Sequence, residues 1–322
     1  MQIREVFLNE AGRLRSGFRL TIFFAALFAL LILFEGSRPA IHAVAQQANS
    51  GLAPHIDQLV YRTGLLVAAL LTGWACNFWL EGLPWRALGL TIHQHWSRDL
   101  VVGFALGSVS ILLATLIGIA GKGLHLSIGA RFAWLPVVRA LVGTAVIFFF
   151  AALAEEATFR GYPLQTLTRA KLVSLAIVLT SVTFALLHLN NPGVTIVSTA
   201  NTALAGIWFA VAYLRTRSLW FPLGLHWSWN LVQGPVLGLA VSGQSLSSHT
   251  LLRATDLGPA WLTGGPYGIE GGLACTIALL LSTGFILWTR LVSATPELKQ
   301  MTSEENPVRC PIESAPEPNA TN

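Results

Sequence analysis

The sequence predicts an all-α, polytopic integral membrane protein with about eight transmembrane helices around a polar intramembrane cavity. Three observations predict it. First, 53% of the 322 residues are hydrophobic and only 11% are charged, with a mean hydropathy of +0.61, whereas soluble domains carry about 25% charged residues. Second, apolar stretches of about 18 residues or more, the length that crosses a bilayer, recur along the chain. Third, eleven tryptophans suit two interfacial belts. The net charge of +5 is not gathered into a basic stripe interleaved with aromatics, so nothing favours nucleic-acid binding.

The expected helices run near Gly17 to Phe34, Thr63 to Leu80 and Leu100 to Ala120. A fourth starts near Leu135 and runs on into a pair of glutamates. The others span Leu172 to Leu189, Val194 to Leu214, Leu219 to Val241 and Gly272 to Trp288. The apolar run Leu20 to Phe34 is followed by Ala43-Val44-Ala45, which looks like a signal-peptide cleavage site. Glu35, Arg38 and His42 lie before it, so an uncleaved first helix is expected.

Basic residues set orientation. Arg4, Arg13, Arg15, Arg19, Arg86, Arg98, Arg169, Lys171, Arg215, Arg217 and Arg290 fall on one side, against Arg38, Lys122, Arg131 and Arg253 on the other. Both termini are therefore expected in the cytoplasm of a cell (plasma) membrane protein. The segment 81–99 reads as an interfacial amphipathic piece with His93 and His95 solvated. The tail after Val292, with Glu297, Glu304, Glu305, Glu313 and Glu317, reads as disordered. Cys76, Cys275 and Cys310 form no Cys-x-x-Cys pair and suggest neither a disulfide framework nor a thiolate metal site.

The chemistry lies in polar residues that a membrane tolerates poorly. In Ala154-Glu155-Glu156-Ala157-Thr158-Phe159-Arg160, Glu156 and Arg160 are four apart and share a helix face, so they can pair. Glu155 points about 100° away and has no obvious partner on its own helix. If the fourth helix continues to Arg169, with Pro163 kinking but not ending it, Glu155 and His188 stand level on antiparallel helices. His226 and Asn230 are again four apart, behind Pro222 and Gly224, which loosen the backbone. Each group has a plainer explanation, as a helix end at the interface or as polar glue between helices. Together they form a hydrolase set: a carboxylate with imidazoles activates water, and an imidazole with an amide stabilises an oxyanion. No Gly-x-Ser-x-Gly and no His-Glu-x-x-His is present, which argues against serine hydrolases and ordinary zincins. Two histidines and a glutamate also make a possible zinc set with one open position.

In order and spacing these residues resemble the CAAX-processing and bacteriocin-processing intramembrane proteases, the CPBP or Abi family. Glu155, Glu156 and Arg160 match Glu-Glu-x-x-x-Arg. Phe184 and His188 match Phe-x-x-x-His, and His226 with Asn230 matches His-x-x-x-Asn. The resemblance covers roughly 135–235 and divides the chain into an N-terminal segment (1–16), N-terminal transmembrane helices (17–134), a CPBP/Abi-like catalytic core (135–235), a C-terminal transmembrane region (236–292) and a cytoplasmic tail (293–322). It implies an intramembrane endopeptidase in which Glu155 and His188 activate water while His226 and Asn230 stabilise the oxyanion, with Glu156 and Arg160 in support. A metalloprotease using Glu155, His188 and His226 around a divalent ion such as zinc, and a metal-free glutamate mechanism, both stay open. The implied partners are the lipid bilayer and a membrane-associated protein or peptide substrate. A proton-coupled transporter would also place such groups at the midplane, and a non-catalytic immunity or scaffold protein of the same fold is the other alternative.

Overall fold

A computed structural model describes residues 6–9, 12–48, 53–128, 133–245 and 249–303. The protein is all-α and polytopic. Its helices in chain order are α1 (Ser16–Ala48), α2 (Ala53–Cys76), α3 (Trp96–Ala120), α4 (Trp134–Glu156), α5 (Tyr162–Arg169), α6 (Val173–Leu186), α7 (Ile196–Thr216), α8 (Trp220–Leu231), α9 (Ala260–Thr263), α10 (Leu273–Trp288) and α11 (Pro296–Ser303). Helices dominate because no water reaches a bilayer core to satisfy free backbone groups. Among the described residues, five spans are long and apolar enough to cross a membrane: 16–44, 56–81, 96–120, 134–169 and 196–216. The apolar helices α6 and α10 are shorter.

The fourth span is continuous from Trp134 to Arg169, as the sequence suggests. A π-helical turn at Ala157–Gly161 joins α4 to α5, and Pro163 falls in the first turn of α5, where its missing N–H costs little. Similar π turns extend α2 through Asn77–Glu81 and α8 through Val232–Val236. A short two-stranded sheet pairs β1 (Leu124–Ser127) with β2 (Arg253–Asp256), distant in sequence and antiparallel, with Leu124 opposite Asp256.

Helices α3 and α8 cross in close contact, and small residues allow it. A Cβ on Gly224 would strike the Leu100 carbonyl oxygen, and one on Gly107 would strike Ser228 Oγ and the Leu225 carbonyl oxygen. Gly103 meets the Phe221 carbonyl oxygen in the same way. Gly224 therefore does not loosen the start of α8, as the sequence suggests. Both Pro222 and Gly224 lie within a regular helix, and Gly224 lets backbone pack on backbone.

A buried charge cluster ties α1, α2 and α5 together. Glu81 meets Arg19 at 3.2 Å and Arg169 Nε at 2.6 Å, and it accepts a 2.6 Å hydrogen bond from Thr166. Arg19 and Arg169 are thus not loop charges, as the charge count takes them; both are almost fully buried. His93, expected to be solvated, is also buried, 3.1 Å from Ser218 Oγ, and burial lowers its pKa. The beginning of the tail is not structureless either. Leu298 of α11 buries its side chain, and Arg217 donates to the Thr302 carbonyl. Cys310 and residues 304–322 lie outside the described residues.

The α3–α8 crossing makes a direct prediction. Gly224→Ala meets backbone that has nowhere to go, and overpacking of this kind costs about 1–3 kcal/mol. Thermal unfolding in detergent should show a clear loss for Gly224→Ala. Gly143→Ala, at a position with open space around it, should show none.

Candidate active site

Glu155 and Glu156 occupy the last turn of α4, immediately before the π turn. The π turn shifts the helical register just where the polar residues stand, a device found at functional sites. Glu156 and Arg160 are both fully buried and 3.4 Å apart, so the pair expected from their spacing is present. Glu156 does more than neutralise Arg160. Its Oε1 also accepts from His226 Nδ1 at 2.8 Å, across from α4 to α8.

Arg160 is held on all sides. One Nη donates to the Gly206 carbonyl on α7 at 3.0 Å. Its guanidinium lies over the rings of Phe184 (4.9 Å), Phe209 (5.1 Å) and Phe159 (5.7 Å), a desolvated setting in which cation–π attraction is strongest. Phe209 carries the cation on one contact and on another stacks with His226, ring centroids 4.5 Å apart at 18°. Phe184 approaches the same imidazole edge-on at 6.3 Å. The imidazole of His226 is thus fixed by one hydrogen bond and two rings.

His188 follows the end of α6. Its Nδ1 is 2.7 Å from the Phe184 carbonyl. A carbonyl only accepts, so Nδ1 carries the proton and Nε2 is left for the cavity. The same argument applies to His226, whose Nδ1 faces an acceptor-only carboxylate. In both histidines a second partner sets the tautomer.

Glu155 is the carboxylate that faces open space. Its Oε2 is 3.6 Å from His226 Nε2. Its Oε1 accepts from Arg62 of α2 at 3.2 Å. On its own helix Glu155 has no partner, as the sequence suggests, but the neighbouring helix supplies one. Glu155, His188, His226 and Asn230 all line one cavity of about 550 Å³, together with Arg62, Phe184, Phe209, Trp229 and Glu270. Asn230 is nearly buried.

Sequence reasoning missed Arg62, Phe159, Phe209 and Glu270. Glu270 accepts from Trp229 Nε1 at 2.9 Å and from Ser242 Oγ at 3.0 Å, linking the segment before α10 to α8. For Arg62 a signal was present: a lone arginine beside an apolar run has the same claim to notice as Glu155. The aromatic residues carry no such signal in a chain this rich in them.

The metal set Glu155, His188 and His226 does not fit as arranged. Among the described residues, no group of three or more His, Cys, Asp or Glu side chains is placed to hold an ion. Arg62 and His226 already flank the two oxygens of Glu155.

Fold and site together define a polytopic membrane protein with a carboxylate–imidazole cavity inside its helix bundle. Residues 136–232, which carry all three motifs, match the family model described as Rce1-like, Type II CAAX prenyl endopeptidase Rce1-like. The match is to the CAAX protease family that the motifs resemble. No curated protein gives a significant match to the chain.

Glu156 ties Arg160 on one side to His226 on the other, so its loss should be structural. Glu156→Gln strands a buried Arg160, and breaking a buried pair costs roughly 3–5 kcal/mol. Thermal unfolding in detergent should fall sharply, whereas Glu35→Gln, at an exposed pair, should leave it within error.

Proposed function

We propose that the protein is an intramembrane endopeptidase, hydrolysing a peptide bond of a membrane-associated protein or peptide in CAAX-type or bacteriocin-type processing. The observation that carries this is Glu155: a carboxylate inside the bundle, facing a cavity also lined by His188, His226 and Asn230. The family match over 136–232 supports the same reading.

In this reading a water sits between Glu155 and His188 Nε2. Glu155 takes one proton as the water oxygen attacks the substrate carbonyl carbon. The carbonyl oxygen becomes negative and receives hydrogen bonds from His226 Nε2 and the Asn230 amide. To donate there as well, His226 must carry a proton on each ring nitrogen, because its Nδ1–H is engaged by Glu156. Glu156 holds the ring in place. When the tetrahedral intermediate collapses, the C–N bond breaks and the proton on Glu155 passes to the leaving amine. Donors aimed at a developing oxyanion in a dry site act without reorganising.

Glu155→Gln should abolish cleavage of a membrane-anchored peptide while the protein stays folded. Asn230→Ala should lower kcat by about 100- to 1000-fold with KM nearly unchanged, the loss typical of one oxyanion donor. Wild-type turnover by Asn230→Ala would remove this residue from the site. Cleavage that a chelator stops and zinc restores would replace the metal-free route by a metal-dependent one.

The excess of Arg13, Arg15, Arg86, Arg98, Lys171, Arg215 and Arg217 on one side supports a cytoplasmic N-terminus, with the Lys171 and Arg217 turns also cytoplasmic. Reporters fused after Val292 and near Arg253 should give signals from opposite sides of the cell membrane. Signal from the same side would overturn this topology.

A further inference from the structure

A second carboxylate lines the cavity beside Glu155. Glu270 stands outside the segment 136–232 that matches the protease family, in the short turn Ile269–Gly271 just before α10. Its surroundings differ from those of the other two glutamates of the site. Glu156 pairs with Arg160, and Glu155 lies beside Arg62 and His226. Among the described residues no lysine, arginine or histidine reaches Glu270. Its partners are neutral donors: Trp229 Nε1 at 2.9 Å on Oε1, and the Ser242 N–H and hydroxyl on Oε2, the hydroxyl at 3.0 Å. Such donors orient a carboxylate but leave its negative charge without a counter-charge, an expensive state inside a membrane protein.

The position of this anion is fixed. Asn201 of α7 donates to the carbonyls of Glu270 at 2.8 Å and Gly272 at 2.9 Å, and its own oxygen accepts from Thr276 at 2.7 Å. Glu270 is only partly buried, so it is open to the cavity. Its Oε1 has Trp229 as sole donor among the described residues, and a carboxylate oxygen has room for a second. Trp229 precedes Asn230 on α8, so Glu270 lies one residue away from the candidate oxyanion donor. The other loop residues of this part of the cavity, Asn191, Ser242 and Gln244, are neutral.

We infer that Glu270 is a specificity-determining residue that binds a basic side chain of the substrate, a lysine ammonium or an arginine guanidinium, close to the peptide bond to be cut. A cation arriving there gains an anion without displacing any present partner. Salt screens such an enclosed pair little. The rigid cradle holds the charge at one place, so it selects a basic residue at one position of the peptide rather than a basic peptide in general. The inference rests on the proteolytic reading above and adds to it a subsite built by the segment before α10.

The test is a lysine scan on the full chain reconstituted in zwitterionic vesicles. Membrane-anchored peptides of one neutral sequence, with acetylated N-termini, carry a single lysine or its uncharged counterpart norleucine at successive positions on both sides of the cleaved bond. The wild type should favour lysine at one position by about 10-fold in kcat/KM, mostly through KM, the worth of one charge-assisted hydrogen bond. At that position Glu270→Gln should cleave the two peptides alike, and Glu270→Asp, with its carboxylate drawn back, should keep only part of the preference. A residue that merely ties α8 to Ser242 would change the melting temperature and leave the lysine-to-norleucine ratio as it was, which would overturn the inference. If Glu270→Gln does not fold, an undiminished ratio in Glu270→Asp overturns it instead. A wild-type ratio near one at every position overturns it with no variant needed. A free N-terminal amine that substitutes for the lysine would assign the anion to an α-amine and overturn the side-chain assignment. Absence of any Glu155-dependent cleavage would sink the proteolytic reading beneath it.

Discussion

The site depends on one buried carboxylate. Glu156 accepts from Arg160 on its own helix and from His226 on α8. Arg160 in turn reaches the backbone of α7 at Gly206. Three helices are thereby fixed around one anion. Two cationic or donor groups that the membrane would otherwise penalise gain a partner in the same step. An unpaired charge in this position would cost several kcal/mol. The cost of burying charge thus becomes a geometric requirement on His226, which meets both Glu156 and the ring of Phe209.

The same logic recurs at Glu81, which gathers Arg19 from α1 and Arg169 from α5. Between these two clusters the span 134–169 runs continuously through a π turn, so Glu155, Glu156 and Arg160 share one element with Arg169, the partner of Glu81. The close α3–α8 crossing completes the frame from the other side. Without hydrophobic drive between helices in lipid, van der Waals contact must supply the adhesion. Gly103, Gly107 and Gly224 allow that contact at backbone distance. The cavity survives because neighbouring helices are held by polar ties and close crossings, leaving the space beside Glu155 unfilled.

Much of the candidate site was legible along the chain. The four-residue spacings of Glu156–Arg160 and His226–Asn230 are helical, and local geometry alone decides which face they share. The level placement of Glu155 and His188 followed from helix rise and one assumption, that α4 continues past Pro163; both residues line the cavity. The errors share a cause. Arg19, Arg169 and His93 look like interfacial charges because polarity suggests water, yet each has a partner distant in sequence. Leu298 lies in a tail whose composition suggests disorder, but it is buried in the packed structure. Contacts of this kind carry no local period and leave no trace in hydropathy.

By itself the sequence determined the medium and the alphabet of the site. An 11% charged chain with repeated apolar runs belongs in a bilayer, and there the backbone has to be helical. The few polar residues in those runs had to face one another, because nothing else in lipid can satisfy them. Only the tertiary structure decided who faces whom. It gave Glu156 to His226, left Glu155 facing the cavity, and brought Arg62 from a helix 93 residues away to share it. The physical reason is that pairing energies depend on distance through space, and separation along the chain does not set that distance.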